Sequence, residues 1–136
     1  MDKEIAATVK IWSDAMIVRP SNDAGDVLIN AFSSILRSRV ASPSHGQISL
    51  FKILLAQELR ELIAITDCWY PGDPMRGSAL RTLSVDYDPD RRLRAALDGA
   101  GINSSILPVK SMSQTSPGIV KYSFGYGADW REVIIN

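Results

Sequence analysis

Apolar residues recur at helical spacing through the first half of the chain, and the period shifts towards two in the second half. In residues 2–17, Ile5, Val9, Trp12 and Met16 fall on one face, with Asp2 placed to cap the first turn. Arg19-Pro20 ends that stretch, and SNDAG makes a short polar connection. Residues 26–40 carry a wider stripe of Val27/Leu28, Ala31/Phe32, Ile35/Leu36 and Val40. Asp23 or Asp26 can cap that helix, and Arg37 and Arg39 suit the negative end of its dipole. Ser42-Pro43-Ser44-His45-Gly46 reads as a loop, in which Ser44 and Gln47 have capping-box spacing. The helix predicted over 47–65 turns Ile48, Phe51, Leu54/Leu55, Leu59 and Leu62/Ile63 inward, and Lys52, Arg60 and Glu61 outward.

The period changes at TDCWYPGDPMRGSALRTLSVD, residues 66–86. Pro71 and Pro74 have a fixed φ and no N–H, so the spacing predicts a helix-to-sheet crossover and no helix through it. Gly72 and Gly77 allow the turns. Leu80 to Val85 then alternate as a half-buried strand, with either Arg81/Leu83/Val85 or Leu80/Thr82/Ser84 facing inward. Asp88 caps a helix that has Pro89 at its first position, lined by Leu93, Ala96, Leu97 and Ala100 and ended by Gly99/Gly101. Residues 107–124 read as a hairpin: a polar edge strand over 109–114, a Thr115-Ser116-Pro117-Gly118 turn and a second strand over 119–124. Gly125-Tyr126-Gly127 turns into a last strand over 130–135. Helices first and strands later predict an α+β domain, N-terminal helices packed on a small, mostly antiparallel sheet.

Composition narrows the class. At 136 residues the chain makes one ordinary domain with room for a real core. Fifteen basic and fifteen acidic residues cancel, so no global field draws it to nucleic acid or to a membrane. Neutrality also predicts modest solubility and a tendency to self-associate. Cys68 is the one cysteine, which forbids an internal disulfide and suits a reducing compartment. No apolar run approaches the ~20 residues of a membrane span, and the start, MDKEIAATVKIW, is unlike a signal peptide. A soluble intracellular domain is expected.

Candidate chemistry is sparse. Asp86, Asp88 and Asp90 imitate the opening of a calcium loop, but Arg91 and Leu97 stand where the loop needs Gly and Glu, and helix capping accounts for the acids. Cys68 and His45 are separated by a whole predicted helix; a half-buried thiol beside Trp69 and an exposed imidazole are expected, not a nucleophilic pair. Met75-Arg76-Gly77-Ser78 lacks a Walker-type frame. Arg76, Arg81, Arg91, Arg92 and Arg94 would form a basic patch if strand and helix lie together, blunted by Asp73, Asp86, Asp88 and Asp90. No catalytic constellation, metal set or cofactor motif is predicted.

Trp69-Tyr70-Pro71, Pro74, Arg76-Gly77-Ser78 and Arg81 resemble the signature of the BTG/Tob antiproliferative domain, W-[YF]-P-x-x-P-x-[KR]-G-x-x-[FY]-R. From Leu107-Pro108 to Gly125 the family's L-P-x-x-L-T-L-W-V-D-P-x-E-V segment aligns without a gap, keeping Pro117, Val120 and Tyr122. In the favoured register the likeness spans residues 24–136, with 26–40 as the family's first helix and residues 1–22 as an extra N-terminal helix and linker. In the other register Glu4-Ile5-Ala6-Ala7 opens the family's first helix and 26–40 is an insertion.

The resemblance implies a non-catalytic adaptor that binds the catalytic subunit of the poly(A) deadenylase and couples it to mRNA–protein complexes, in the cytoplasm, the nucleus or both. It implies partner contact through Trp69, Tyr70, Pro71, Pro74, Arg76, Leu80, Gln114, Ser116 and Pro117. Three of these depart from the family pattern: Leu80 replaces Phe or Tyr, Gln114 replaces Trp, and Ser116 replaces Asp. Aromatic anchors carry much of an interface's energy, so a second expectation is a self-assembling scaffold on the same fold. A direct RNA-binding module is a third. No membrane partner is expected.

Overall fold

A computed structural model describes residues 1–17 and 42–136. The helix expected over 26–40 lies outside the described residues. Three α-helices are described, α1 (Asp2–Ala15), α2 (His45–Thr66) and α3 (Arg91–Ala100), with four strands, β1 (Thr82–Val85), β2 (Ser111–Ser116), β3 (Ile119–Phe124) and β4 (Arg131–Ile134). The strands form one antiparallel sheet in the order β1-β2-β3-β4. This is the expected α+β architecture.

α2 begins where its capping box predicts: the Ser44 hydroxyl accepts from Gln47 N, and Gln47 Oε1 accepts from Ser44 N. Phe51, Leu55, Leu59 and Ile63 are buried along one face, while Lys52, Arg60 and Glu61 are exposed. α1 buries Ile5, Val9, Trp12 and Met16 in the same core. The N-terminal helix thus docks on its own domain, as a layer of the same core. Asp2 does not cap it; Met1 holds that position, and Asp2 lies in the first turn with its carboxylate 3.4 Å from Arg60.

The polar strand expected at an edge lies inside the sheet, between β1 and β3. Its small hydroxyls are why. The Trp12 indole N–H donates to Ser113 Oγ at 2.8 Å, and the Thr8 and Thr115 hydroxyls share a hydrogen bond of 2.6 Å. Ser113 and Thr115 thereby face α1 with their polarity satisfied, so a strand that is polar in composition can sit under a helix. Val120 of β3 completes the buried row, and the Trp12 ring lies 4.7 Å from that of Phe124.

The crossover strand is shorter than expected, because Ser78–Arg81 forms a single 3₁₀ turn before β1. Of the two phases the sequence allows, Arg81/Leu83/Val85 is buried. The next helix is capped by Asp90 and not by Asp88: the Asp90 carboxylate accepts from Leu93 N at 2.9 Å and from Ser84 N at 2.7 Å. Pro89, expected at the first helical position, instead bridges to Val85 beside β1. Leu93, Ala96, Leu97 and Ala100 line the inner face of α3 as predicted, and Gly101 ends it with a φ of 70°.

Candidate functional site

The corner between α2 and β1 is built by a sequence of local stops. α2 ends at Asp67, a non-glycine residue held at φ 47°. The chain then makes tight turns in succession: Asp73 N donates to Tyr70 O, Arg76 N to Asp73 O, Ser78 N to Met75 O and Leu80 N to Gly77 O, all at 3.0–3.2 Å. Two prolines without N–H groups and two glycines make this pattern cheaper than a continued helix. Trp69 and Tyr70 are half-buried and pack against the core, and the Arg76 guanidinium lies 4.3 Å from the Tyr70 ring centroid.

Beneath the turn lies Arg81, 0 % exposed. Its Nε donates to Thr115 O at 2.6 Å. Nη1 donates to Cys68 O, and to Arg76 O at 2.9 Å. Nη2 donates to Pro74 O at 2.9 Å and to Ser116 Oγ at 3.1 Å. The acceptors are carbonyl oxygens and a hydroxyl, with no carboxylate among them. A buried cation is therefore solvated by backbone dipoles, and the rigid fork of the guanidinium suits that task. Arg81 joins both ends of the turn to the end of β2.

This staple decides where the expected contact residues lie. Pro71 and Arg76 are exposed, as is Leu80, at 51 %, with Met75 also open to solvent. Pro74 is half-buried and lends its carbonyl to Arg81. Gln114 stands half-buried on β2, in register with Thr82 and Lys121. Ser116 and Pro117 are buried and present no side-chain surface, and Ser116 braces the turn through Arg81. The structure thus brings both sequence segments together, but only the turn and Leu80, with Gln114 partly open beside them, face outward as a surface. The sequence leaves Arg81 either in a basic patch or buried on the same strand phase as Leu83 and Val85, and the structure takes the second.

The rest of that patch is dispersed. Arg92 pairs with Glu58 at 2.8 Å and Glu61 at 3.3 Å, and the hydrogen bond it donates to Glu58 leads in holding its pKa above the ordinary value. Arg94 lies 3.6 Å from Asp88, and Asp86 pairs with Lys110. Cys68 is buried just past one end of α2, with its sulfur 2.9 Å from Thr66 Oγ1. His45 is exposed at the other end, about 33 Å away along a 22-residue helix. No group of three or more His, Cys, Asp or Glu among the described residues could hold a metal ion, and no helix among them is long and apolar enough to cross a membrane.

Gly77 is the turn's least replaceable glycine. Its φ is 74°, and a Cβ there would lie 3.2 Å from Arg81 Nη1 and 3.3 Å from Cys68 Cβ. Gly77→Ala is expected to cost about 1–2 kcal/mol for the left-handed backbone alone. Gly72→Ala, where an added Cβ meets nothing within 4 Å, is expected to fall within about 0.5 kcal/mol of wild type. Urea unfolding of the two variants checks the contrast; equal effects would place the rigidity of the turn elsewhere.

Helices and sheet together define a BTG/Tob-like α+β fold. The particular likeness is to the BTG/Tob domain of C. elegans FOG-3, in a doubly substituted form. That domain matches 100 % of this chain and 83 % of its own at a TM-score of 0.68 and 14 % sequence identity. No family model matches the sequence, and no curated protein does. At this identity the shared property is the fold, and function is argued from the site.

Proposed function

We propose that the chain is a non-catalytic protein–protein adaptor in post-transcriptional mRNA regulation. On this reading it binds the catalytic subunit of the poly(A) deadenylase and links it to mRNA–protein complexes, in the cytoplasm, the nucleus or both. The observation that carries the reading is the stapled turn: Pro71, Met75 and Leu80 are held open to solvent on a backbone that Arg81 keeps rigid. A preorganised apolar surface loses little conformational freedom on binding, which favours a docking role. The BTG/Tob-like fold and the Trp69-Tyr70-Pro71 signature point to the partner.

Titration calorimetry against the deadenylase catalytic subunit tests it. Binding at about 10 μM or tighter is expected, weakened roughly tenfold or more by Leu80→Ala, an anchor's share of the energy. Absence of binding at about 100 μM overturns the partner, and an unchanged affinity in Leu80→Ala overturns the surface. Ser116→Asp is a poor probe of contact because the residue is buried against Arg81; Gln114→Trp, on the accessible side of β2, is the better gain-of-binding variant.

A further inference from the structure

At the far end of β1 from the stapled turn, the loop after β1, the residue before β2 and the turn after β3 meet around Lys110. The Lys110 backbone is held at φ 57°, a left-handed conformation that a side chain disfavours. Two hydrogen bonds fix it there: Lys110 N donates to Asp86 O at 2.9 Å, and Lys110 O accepts from Gly125 N at 3.2 Å. Asp86 and Gly125 are the immediate neighbours of Tyr87 and Tyr126. One strained residue thus clamps both tyrosine-bearing segments. Its side chain does the same, since the ammonium pairs with Asp86 and lies 4.5 Å from the Tyr87 ring centroid and 5.8 Å from that of Tyr126.

The result is a direct contact between two phenols 39 residues apart in sequence. The Tyr126 hydroxyl donates to the Tyr87 hydroxyl at 2.6 Å, close to the short end of the range for such bonds. Tyr87 is 67 % exposed, and neither ring belongs to the hydrophobic core. The other two tyrosines have different neighbours. Arg76 lies over the Tyr70 ring, and Tyr122 meets Phe124 edge-on at 5.5 Å.

We propose that Tyr87 and Tyr126 are an oxidative cross-linking site, joined ring to ring as dityrosine by a one-electron oxidant of the haem peroxidase class acting with hydrogen peroxide. Each phenol gives up one electron and one proton and becomes a phenoxyl radical, with spin on the ring carbons next to the oxygen. The two radicals couple through a C–C bond between such carbons. Each ring then moves the displaced hydrogen from carbon to oxygen and is a phenol again. The pair loses two electrons and two protons in all, and the peroxide takes them up and becomes two waters. The clamp at Lys110 supplies the proximity, so the partner ring outcompetes any second molecule in dilute solution. The product fastens the loop after β1 to the turn after β3. A cross-link between distant residues restricts the unfolded chain, so the oxidised domain is the more stable form. This inference stands apart from the adaptor reading and survives its failure.

The test is oxidation of the dilute chain with a haem peroxidase and hydrogen peroxide, followed by separation of monomer from larger products. The expected monomer is two hydrogens lighter, shows dityrosine fluorescence, yields a linked Tyr87–Tyr126 peptide on digestion, and unfolds at higher urea than the untreated chain. Tyr87→Phe and Tyr126→Phe each remove only a hydroxyl that lies outside the core, and each is expected to abolish dityrosine in the monomer. Tyr122→Phe is expected to leave the yield unchanged. Dityrosine confined to larger products, a monomer linked through Tyr70 or Tyr122, or an undiminished yield in either of the first two variants overturns the proposal.

Discussion

Arg81→Met is expected to destabilise the domain by about 3–5 kcal/mol, a large share of the ~5–15 kcal/mol that holds a domain of this kind together. The substitution keeps an unbranched apolar stem but removes every donor that the carbonyls of Thr115, Cys68, Arg76 and Pro74 use. Each carbonyl left unpaired inside costs about 1–3 kcal/mol. The turn can recover part of that only by opening to water. Removing a buried charge relieves some desolvation, which is why the expected total is well below the sum. Arg81→Lys should be little better: one ammonium has three donors on a single atom and cannot span acceptors set around a planar fork. Urea unfolding measures the loss, and limited proteolysis within residues 70–76 reports whether the turn has opened. A Met variant within about 1 kcal/mol of wild type would mean that the turn is held by its own short-range bonds. Binding to any partner through Leu80 should fall with it, because the surface loses its support.

Trp12→Ala is expected to cost about 3–5 kcal/mol, the usual range for emptying a buried aromatic site. The side chain is fully buried, its ring is 4.7 Å from Phe124, and its indole N–H bonds Ser113 Oγ at 2.8 Å. Trp12→Phe separates the contributions. It retains much of the packing but leaves the Ser113 hydroxyl without its donor, so a loss of about 1–2 kcal/mol is expected. Thermal unfolding of both variants by circular dichroism gives the comparison. If Trp12→Ala unfolds like wild type, α1 is dispensable and the core lies between α2, α3 and the sheet. If Phe is as costly as Ala, the hydrogen bond and not the packing fastens the helix.

These two residues also mark how far a sequence can be read. Trp12 falls on the apolar stripe of its helix, so its burial is legible from spacing. What spacing cannot supply is the surface it meets, since Ser111, Ser113 and Thr115 look like a solvated strand in composition. Ser113 and Thr115 are buried because their hydroxyls are satisfied by the indole and by Thr8 across the interface, and Ser111 because its hydroxyl accepts from Gly125 N. The edge expected at residues 109–114 moved to the centre of the sheet for that reason.

Arg81 shows the same division. Charged side chains are placed outside by default because an unpaired charge is costly to bury. Its pairing with four carbonyls depends on a turn whose backbone folds back over it, and no local pattern reveals that convergence. The same holds at Asp90. The sequence points to Asp88 as the cap of α3, and the role fell to Asp90 because its carboxylate reaches Ser84 on the neighbouring strand as well as Leu93.

The chain by itself determined the properties that depend on neighbours in sequence. These are the described helices and their buried faces, the capping box at Ser44, the break at residues 69–77, the hairpin, the α+β class and the BTG/Tob likeness. Periodicity, dihedral limits and turn chemistry act within a few residues, so a linear reading captures them. Tertiary structure alone decided which strand lies at the edge, which arginine is buried, which of the expected contact residues face solvent, and that α1 belongs to the core. Each of those turns on groups brought together from distant parts of the chain, where hydrogen bonding decides whether a polar side chain can be buried.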